Sequence, residues 1–277
     1  MTYSIVGADT KTREVGGAGT SCLTGDDVYV IYRGVPGHGV VHAQAYYTIA
    51  ARDRAAELLA LGDTPVDVLD AITLPSFDDK ISIRQYGVVD ARGLTAGYTG
   101  TGTTAYAGDH QGAVGQFAYS VQGNILTSAK VLEQAGSAFE QGGCDLAERL
   151  MLALEAGAHS GQGDSRCTSR GIPSDSAFLQ VERPELGEGD YLSLHVESSG
   201  DENPLPQLRA KLEAWRVQHP CPASPAAVTA GRHDSGCGCA VAGGHLGDAG
   251  ALLVGGLLIV AWRRKRAPSE LGPIDSA

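Results

Sequence analysis

The chain has 277 residues, enough for one large domain or two small ones, and its 21 Lys and Arg against 32 Asp and Glu leave a net charge of −11. That balance argues against a nucleic-acid binder, because phosphate contacts need clustered cations that most of this chain lacks. Gly, at 38 residues, is roughly twice its usual share while hydrophobic residues make up 43%, so the chain is globular with many tight turns and not disordered.

Short Val-, Ile-, Tyr- and Thr-rich runs bounded by Gly and Asp predict strands over Tyr3 to Ala8, Glu14 to Cys22, Val28 to Arg33 and Gly39 to Tyr47. Helices follow at Asp53 to Leu61 and at Pro65 to Leu74, the second with Thr64 as cap and Pro65 at its first position. Strand signals return at Gln85 to Asp90, Leu94 to Thr99 and Phe117 to Val121. A second helical pair covers Ser128 to Glu140 and Leu146 to Ala158. The latter opens on Asp145 with Glu148 three residues on, like a capping box, and carries Leu146, Leu150 and Leu154 on one face. Two more strands, Ser176 to Glu182 and Tyr191 to Glu197, precede a last helix on which Leu205, Leu208, Leu212 and Trp215 recur at three and four residues. Strands and helices come in blocks and do not alternate singly. The blocks predict an α+β fold with two largely antiparallel sheets between two helical layers, and no internal repeat is visible.

Charge is unevenly placed. Residues 1–216 hold 16 Lys and Arg against 28 Asp and Glu, and the remainder 5 against 4, including the run Arg263-Arg264-Lys265-Arg266. The reading is a main domain over 1–216, a Pro-, Ala- and Gly-rich linker over 217–239, a membrane segment over 240–266 and a cytoplasmic tail over 267–277. Ala249 to Trp262 is uncharged but gives only about 21 Å of helix against a hydrocarbon core of about 30 Å. Extension back to Ala240 reaches about 34 Å and admits His245 and Asp248, an acid at mid-bilayer costing roughly 3 kcal/mol. The alternative is a buried core helix, but a Gly-rich run at the end of the chain has little left to pack against.

Cys237-Gly238-Cys239, the apolar run, Trp262 and RRKR follow in the order of a single membrane helix with its positive charge inside. In that order the tail resembles the Cys-containing sorting tails of secreted myxobacterial proteins. The resemblance implies that Cys237 or Cys239 is the processing and anchoring point, and that the protein sits in the cell envelope or on the surface. Met1 to Val6 shows no basic stretch followed by an apolar one, so an export signal is expected upstream of Met1, the alternative being a tail that does not function. Cys22, Cys144 and Cys167 have no metal-ligand spacing and also point to an oxidising compartment. Cys144 and Cys167 are expected to form a disulfide closing a short loop worth roughly 3 kcal/mol, leaving Cys22 a thiol buried on its strand.

Thr2 is the most informative residue if it becomes the first. A chain-starting Thr combines a hydroxyl nucleophile with its own α-amine, whose reference pKa of about 8 suits a general base near neutral pH. Its plainer reading is a β-branched residue opening an edge strand.

TYSIVGAD, EVGGAGTSC, GVVHAQAYY, QYGVVDARG, YTGTGT, YSVQGNILTS, LAERLMLALEAG, GDSRC and SDSAFLQV occur in that order. Over residues 2–216 they resemble the bacterial family of domains of unknown function numbered 1028. That family is classed with the N-terminal-nucleophile hydrolases, so the resemblance implies a four-layer αββα sandwich and, less directly, amide-bond hydrolysis. By the same resemblance Thr2 falls where the superfamily keeps its nucleophile.

Gln122, Gly123 and Asn124 follow a predicted strand, where a carboxamide and backbone N–H groups could stabilise an oxyanion; they are equally a tight turn. Gln44 is the other candidate donor, and His42 reads as an ordinary strand histidine. Asp164 and Arg166 could orient a substrate carboxylate or pair with each other. No Lys is placed beside Thr2, since Lys11, Lys80 and Lys130 fall in predicted turns or helix starts.

The His and acidic residues show no HxH or HExxH pairing, so no metal is inferred, nor any cofactor. The leading expectation is a surface-exposed amide-bond hydrolase acting on a small or peptide-like substrate. The competing one is an inactive surface-displayed ligand-binding domain of the same fold, with a structural envelope role and homo-oligomerisation left open.

Overall fold

The computed structural model describes residues 2–23, 27–197, 200 and 202–222. Ten strands and five α-helices, counted among the described residues, form two antiparallel sheets with helices on their outer faces. The chain opens with β1 (Thr2–Asp9) and β2 (Glu14–Ser21), paired from Thr2↔Ser21 to Asp9↔Glu14 and buried along their whole length. Both are buried on two faces, which is why they read as continuous apolar and small-residue runs and not as alternating ones. β3 (Tyr32–Val35), β4 (Gly39–Ala45), β5 (Arg84–Asp90) and β6 (Thr95–Thr99) make the smaller sheet in that order. β7 (Gly108–Val114), β8 (Phe117–Gly123), β9 (Ser176–Glu182) and β10 (Leu192–Val196) join β1 and β2 in the larger sheet, ordered β10-β9-β2-β1-β8-β7. β1 is therefore central.

The helices are α1 (Ile49–Leu61), α2 (Pro65–Ile72), α3 (Lys130–Gln141), α4 (Leu146–Gly157) and α5 (Pro204–Arg216). Local chemistry sets their ends. Thr64 and Asp67 form the capping box of α2, Asp145 accepts from the Glu148 amide at the start of α4, and Asn203 caps α5. Gly62, left-handed at φ 92°, stops α1. α3, α4 and α5 pack on the larger sheet around Leu150, Met151, Leu208 and Leu212, while α1 and α2 pack on the smaller one around Leu59, Val68 and Val88. A third apolar cluster, with Val6, Tyr32, Val40 and Phe178, joins the inner faces of the two sheets.

Three local expectations change. Val28–Ile31 is a turn of 3₁₀ helix and not the beginning of a strand, because the Asp27 carboxylate accepts the Tyr29 amide and caps it. β7 carried no strand signal: GDHQGAV lacks a β-branched run, and pairing with β8 across Gly115, at φ 58°, makes it a strand. α1 starts at Ile49, four residues before the expected Asp53.

The expected Cys144–Cys167 disulfide is not formed. Cys22 bonds Cys167, with Cα atoms 5.9 Å apart, and Cys144 bonds Cys221, at 5.6 Å. The loop 163–171 returns to the end of β2, where Cys22 already lies, and the segment after α5 returns to the start of α4, where Cys144 lies. Cys22 is consequently no free thiol, and the domain runs past Arg216 to include Cys221. Two disulfides are the usual mark of an oxidising compartment. Among the described residues no helix is long and apolar enough to cross a membrane; Cys237, Cys239 and the 240–266 segment lie outside the described residues.

Candidate functional site around Thr2

Four polar side chains stand where the strand pattern would place apolar ones, and together they build the site. Ser4 on β1, Gln44 on β4, Gln85 on β5 and Gln122 on β8 are all buried between the sheets. A buried carboxamide is costly unless both its ends are hydrogen-bonded, and here they are. Ser4 Oγ donates to Gln44 Oε1 at 2.7 Å and accepts from Gln122 Nε2 at 2.8 Å. Gln122 Oε1 accepts from Ser120 Oγ at 3.2 Å, and its Nε2 lies 3.5 Å from His42 Nδ1.

Gln85 is the hub. Its Oε1 accepts from Gln44 Nε2 at 2.8 Å and from Asn124 Nδ2 at 2.9 Å. Its Nε2 lies 2.8 Å from Gly123 O, 2.9 Å from Thr99 Oγ1 and 3.0 Å from Gly108 O.

Thr2 sits at the end of this network. Its carbonyl accepts from the Asn124 amide at 3.2 Å and from Gln44 Nε2 at 3.3 Å, so the first residue of β1 is held from both sheets. Its Oγ1 lies 3.4 Å from Ser21 Oγ on β2, and 3% of the residue is exposed. Thr2 lines a cleft of about 260 Å³ whose other walls include Leu23, Val28, Val30, Ile31, Gln44 and Ala45, with Asp27 also on its lining. A second cleft of about 490 Å³ shares Leu23, Ala45 and Tyr47 with the first and adds Arg84, Asn124 and Arg166. Thr2, Gln44 and Asn124 are thus brought together, with Gln44 and the Asn124 amide both donating to the Thr2 carbonyl. Gln122 and Gly123 support that arrangement from β8 without lining either cleft.

Asp164 is buried and holds its neighbours. It accepts from the Cys22 amide at 2.8 Å, the Arg166 amide at 2.9 Å, Arg166 Nε at 3.3 Å and Arg166 Nη2 at 3.1 Å. The pairing half of the sequence reading is therefore present, and Arg166 also borders the wider cleft. Lys11, Lys80, Lys130 and Lys211 line neither cleft.

His42 is wholly enclosed by Tyr32, Phe178 and the Gly17 backbone, and a Cβ on Gly17 would come within 2.8 Å of His42 Cε1. Burial pushes its pKa down to about 3, so the ring is neutral, and its Nε2 has no partner. Cys22, Cys167 and Asp175 bring three potential metal-ligand atoms within 4.8 Å of one another, but both sulfurs are spent in the disulfide. Arg170 Nη2 lies 2.7 and 2.8 Å from the two sulfurs and 2.8 Å from Asp175 Oδ2, filling the same space.

Sequence reasoning missed Gln85, Ser4 and Ser21. The available signal was a polar residue inside a strand otherwise composed of buried apolar ones, as in RQYGVVD.

The family model described as "Family of unknown function (DUF1028)" matches residues 2–208. The chain belongs to that family. The DUF1028 match ends inside α5, so it covers both sheets and all the residues around Thr2. The crystal structure of protein SPO2555 from Silicibacter pomeroyi, described with the same family, is similar at a TM-score of 0.65 and 24% identity. The match covers 78% of this chain and 89% of that one. At such identity the likeness is one of fold. Among curated proteins none matches.

Proposed function

We propose that this DUF1028 domain is an N-terminal-nucleophile amide-bond hydrolase that works from Thr2 once Met1 has been removed. The observation that carries the reading is the placement of Thr2: it begins the central strand, it lines a cleft, and its carbonyl is clamped by Asn124 and Gln44. Helices outside two facing sheets also agree with the αββα sandwich of that superfamily. In the reaction Thr2 Oγ1 bonds to the amide carbonyl carbon while the freed α-amine takes the hydroxyl proton and passes it to the departing amine nitrogen. Water then hydrolyses the Thr2 ester and regenerates the site.

The carboxamide bonds divide the roles. Both Nε2 hydrogens of Gln44 are used, on Thr2 O and Gln85 Oε1, so Gln44 is a positioning residue. Asn124 spends one Nδ2 hydrogen on Gln85 and keeps a second that suits an oxyanion. The disulfides fit an exported protein, and the 240–266 segment would anchor it in the envelope with Cys237 or Cys239 as the processing point.

A second reading, an inactive ligand-binding domain of the same fold, is favoured by the near-complete burial of Thr2 and by the lack, among the described residues, of a Lys at either cleft. Labelling separates the two. Protein whose mass shows Thr2 as first residue is treated with an electrophile directed at N-terminal Thr, such as an epoxyketone or β-lactone. Wild type should be modified at Thr2, Thr2→Ser in part and Thr2→Ala not at all. Equal labelling of wild type and Thr2→Ala sinks the hydrolase and leaves the binding domain.

A further inference from the structure

We propose that Ser193, His195 and Asp27 form a second nucleophilic site, independent of Thr2, that takes carboxylic esters. Ser193 and His195 are two residues apart on β10, so both side chains stand on one face of the strand. Leu192 and Val196 point the other way, into the core under α5, which leaves Ser193 and His195 on the face that looks toward the smaller sheet. Their register partners there are Gln180 and Phe178 of β9. Four strands do not cover six, and β10 is the outermost strand of the larger sheet, so Ser193 is exposed while the backbone that carries it is fixed by pairing.

The three side chains stand in hydrogen-bond sequence. Ser193 Oγ lies 3.0 Å from His195 Nε2, and His195 Nδ1 lies 3.1 Å from Asp27 Oδ2. A carboxylate at Nδ1 calls for the ring hydrogen there, so Nε2 carries the lone pair and faces the hydroxyl. Nucleophile, base and an acid that orients the base make up the arrangement that activates a serine, and it is recognised by geometry and not by order in the chain.

Each member is also held from outside the trio. Asp27 Oδ1 accepts the Tyr29 amide at 2.9 Å, which ties the carboxylate to the 3₁₀ turn, and the Tyr29 ring packs on the imidazole with centroids 4.4 Å apart. Gln180 Nε2 donates to the buried Glu182 at 2.6 Å, which turns its Oε1 toward Ser193 Oγ at 2.9 Å. The hydroxyl thus has two acceptors in reach, and the imidazole nitrogen is the more basic of them.

Ser193 lines neither cleft at Thr2, so an ester reaches it from solvent. Esters suit so open a site, because an alcohol leaves more readily than an amine. An edge strand keeps alternate backbone N–H groups outside the ladder, donors of the kind that steady a carbonyl oxygen as it gains charge. In the reaction Ser193 Oγ bonds to the ester carbonyl carbon while His195 Nε2 takes the hydroxyl proton. The bond from that carbon to the alcohol oxygen breaks, and Nε2 returns the proton to the departing oxygen. Water then attacks the acyl-Ser193, Nε2 carries one of its protons back to Oγ, and the carboxylic acid is released.

The test uses full-length protein, a fluorophosphonate and p-nitrophenyl acetate. With the fluorophosphonate, Ser193 Oγ bonds to phosphorus, fluoride leaves and Nε2 takes the proton. Tandem mass spectrometry should place the adduct on Ser193 in wild type. His195→Gln keeps a polar side chain without a base, and Asp27→Asn keeps an oxygen for the Tyr29 amide; each should slow the labelling at least roughly tenfold while circular dichroism shows both folded as wild type. With p-nitrophenyl acetate, wild type should release a burst of p-nitrophenol stoichiometric with the chain, from the acetyl-Ser193 intermediate, and Ser193→Ala none. No adduct on Ser193, a smaller slowing in either variant, or a burst that survives Ser193→Ala overturns the proposal. The adduct is read at Ser193 itself, so the outcome is separate from that at Thr2.

Discussion

Replacing Gln85 by leucine tests whether the buried carboxamide network holds the site. The new side chain would match the volume and keep β5 apolar, but the change removes the acceptor shared by Gln44 Nε2 and Asn124 Nδ2 and the donor facing Gly123 O. Each buried polar group left without a partner costs about 1–3 kcal/mol. Gln44 and Asn124 are both almost wholly buried, so water does not replace the lost acceptor. Two stranded donors, offset by roughly 1 kcal/mol of added apolar burial, give a net loss of about 3 kcal/mol. For a domain of this size each kcal/mol moves Tm by about 2–4 °C, so a fall of roughly 10 °C is expected in a melt followed by circular dichroism. Labelling at Thr2 should drop as well, measured at a temperature where the variant is folded, because the Thr2 carbonyl loses the fixed position of Gln44. Gln85→Glu should be no better: it keeps an acceptor for Gln44 but sets an oxygen against Gly123 O. A Gln85→Leu protein that melts within about 2 °C of wild type, the smallest shift expected for 1 kcal/mol, and labels equally well would show that the network is not what positions Thr2.

Stability should depend on pH through His42. Its folded pKa is depressed to about 3 against 6.5 unfolded, so the unfolded chain binds the extra proton between those values and stability falls as pH falls through that window. From pH 7 to pH 5 the loss from this group is about 2 kcal/mol by urea denaturation, and His42→Gln should flatten that part of the profile; an unchanged slope would refute it. Truncation should depend on which side of Cys221 it falls. Ending the chain after Pro222 should leave Tm unchanged. Ending it after Val217 removes the disulfide to Cys144, whose loop spans 77 positions and contributes about 4.5 kcal/mol by chain entropy. Equal melting of the two truncations would contradict the pairing.

What the sequence by itself determined is the set of elements whose cause is local. The Thr64–Asp67 box, the Asp145 cap, the Leu205, Leu208 and Leu212 spacing and the buried runs of β1, β2 and β9 are each decided by neighbours within a turn or a strand. The block order of strands and helices also sufficed for two antiparallel sheets with helices outside them. Thr2, Gln44 and Asn124 were legible as candidates because a motif singled them out, but the hydrogen-bond partners of each carboxamide were not.

Tertiary structure alone decided the rest, because those features depend on residues far apart in the chain. β7 is a strand only because β8 pairs with it, and Gln85 matters only because β5 faces β1 and β8 across the inter-sheet space. The disulfides follow the same rule. The expected bridge joined Cys144 at the start of α4 to Cys167 in the GDSRC loop, yet a disulfide requires Cα atoms within about 7 Å. The folding of the 163–171 loop onto the end of β2, and of the segment after α5 onto the start of α4, gives Cys22 and Cys221 that proximity.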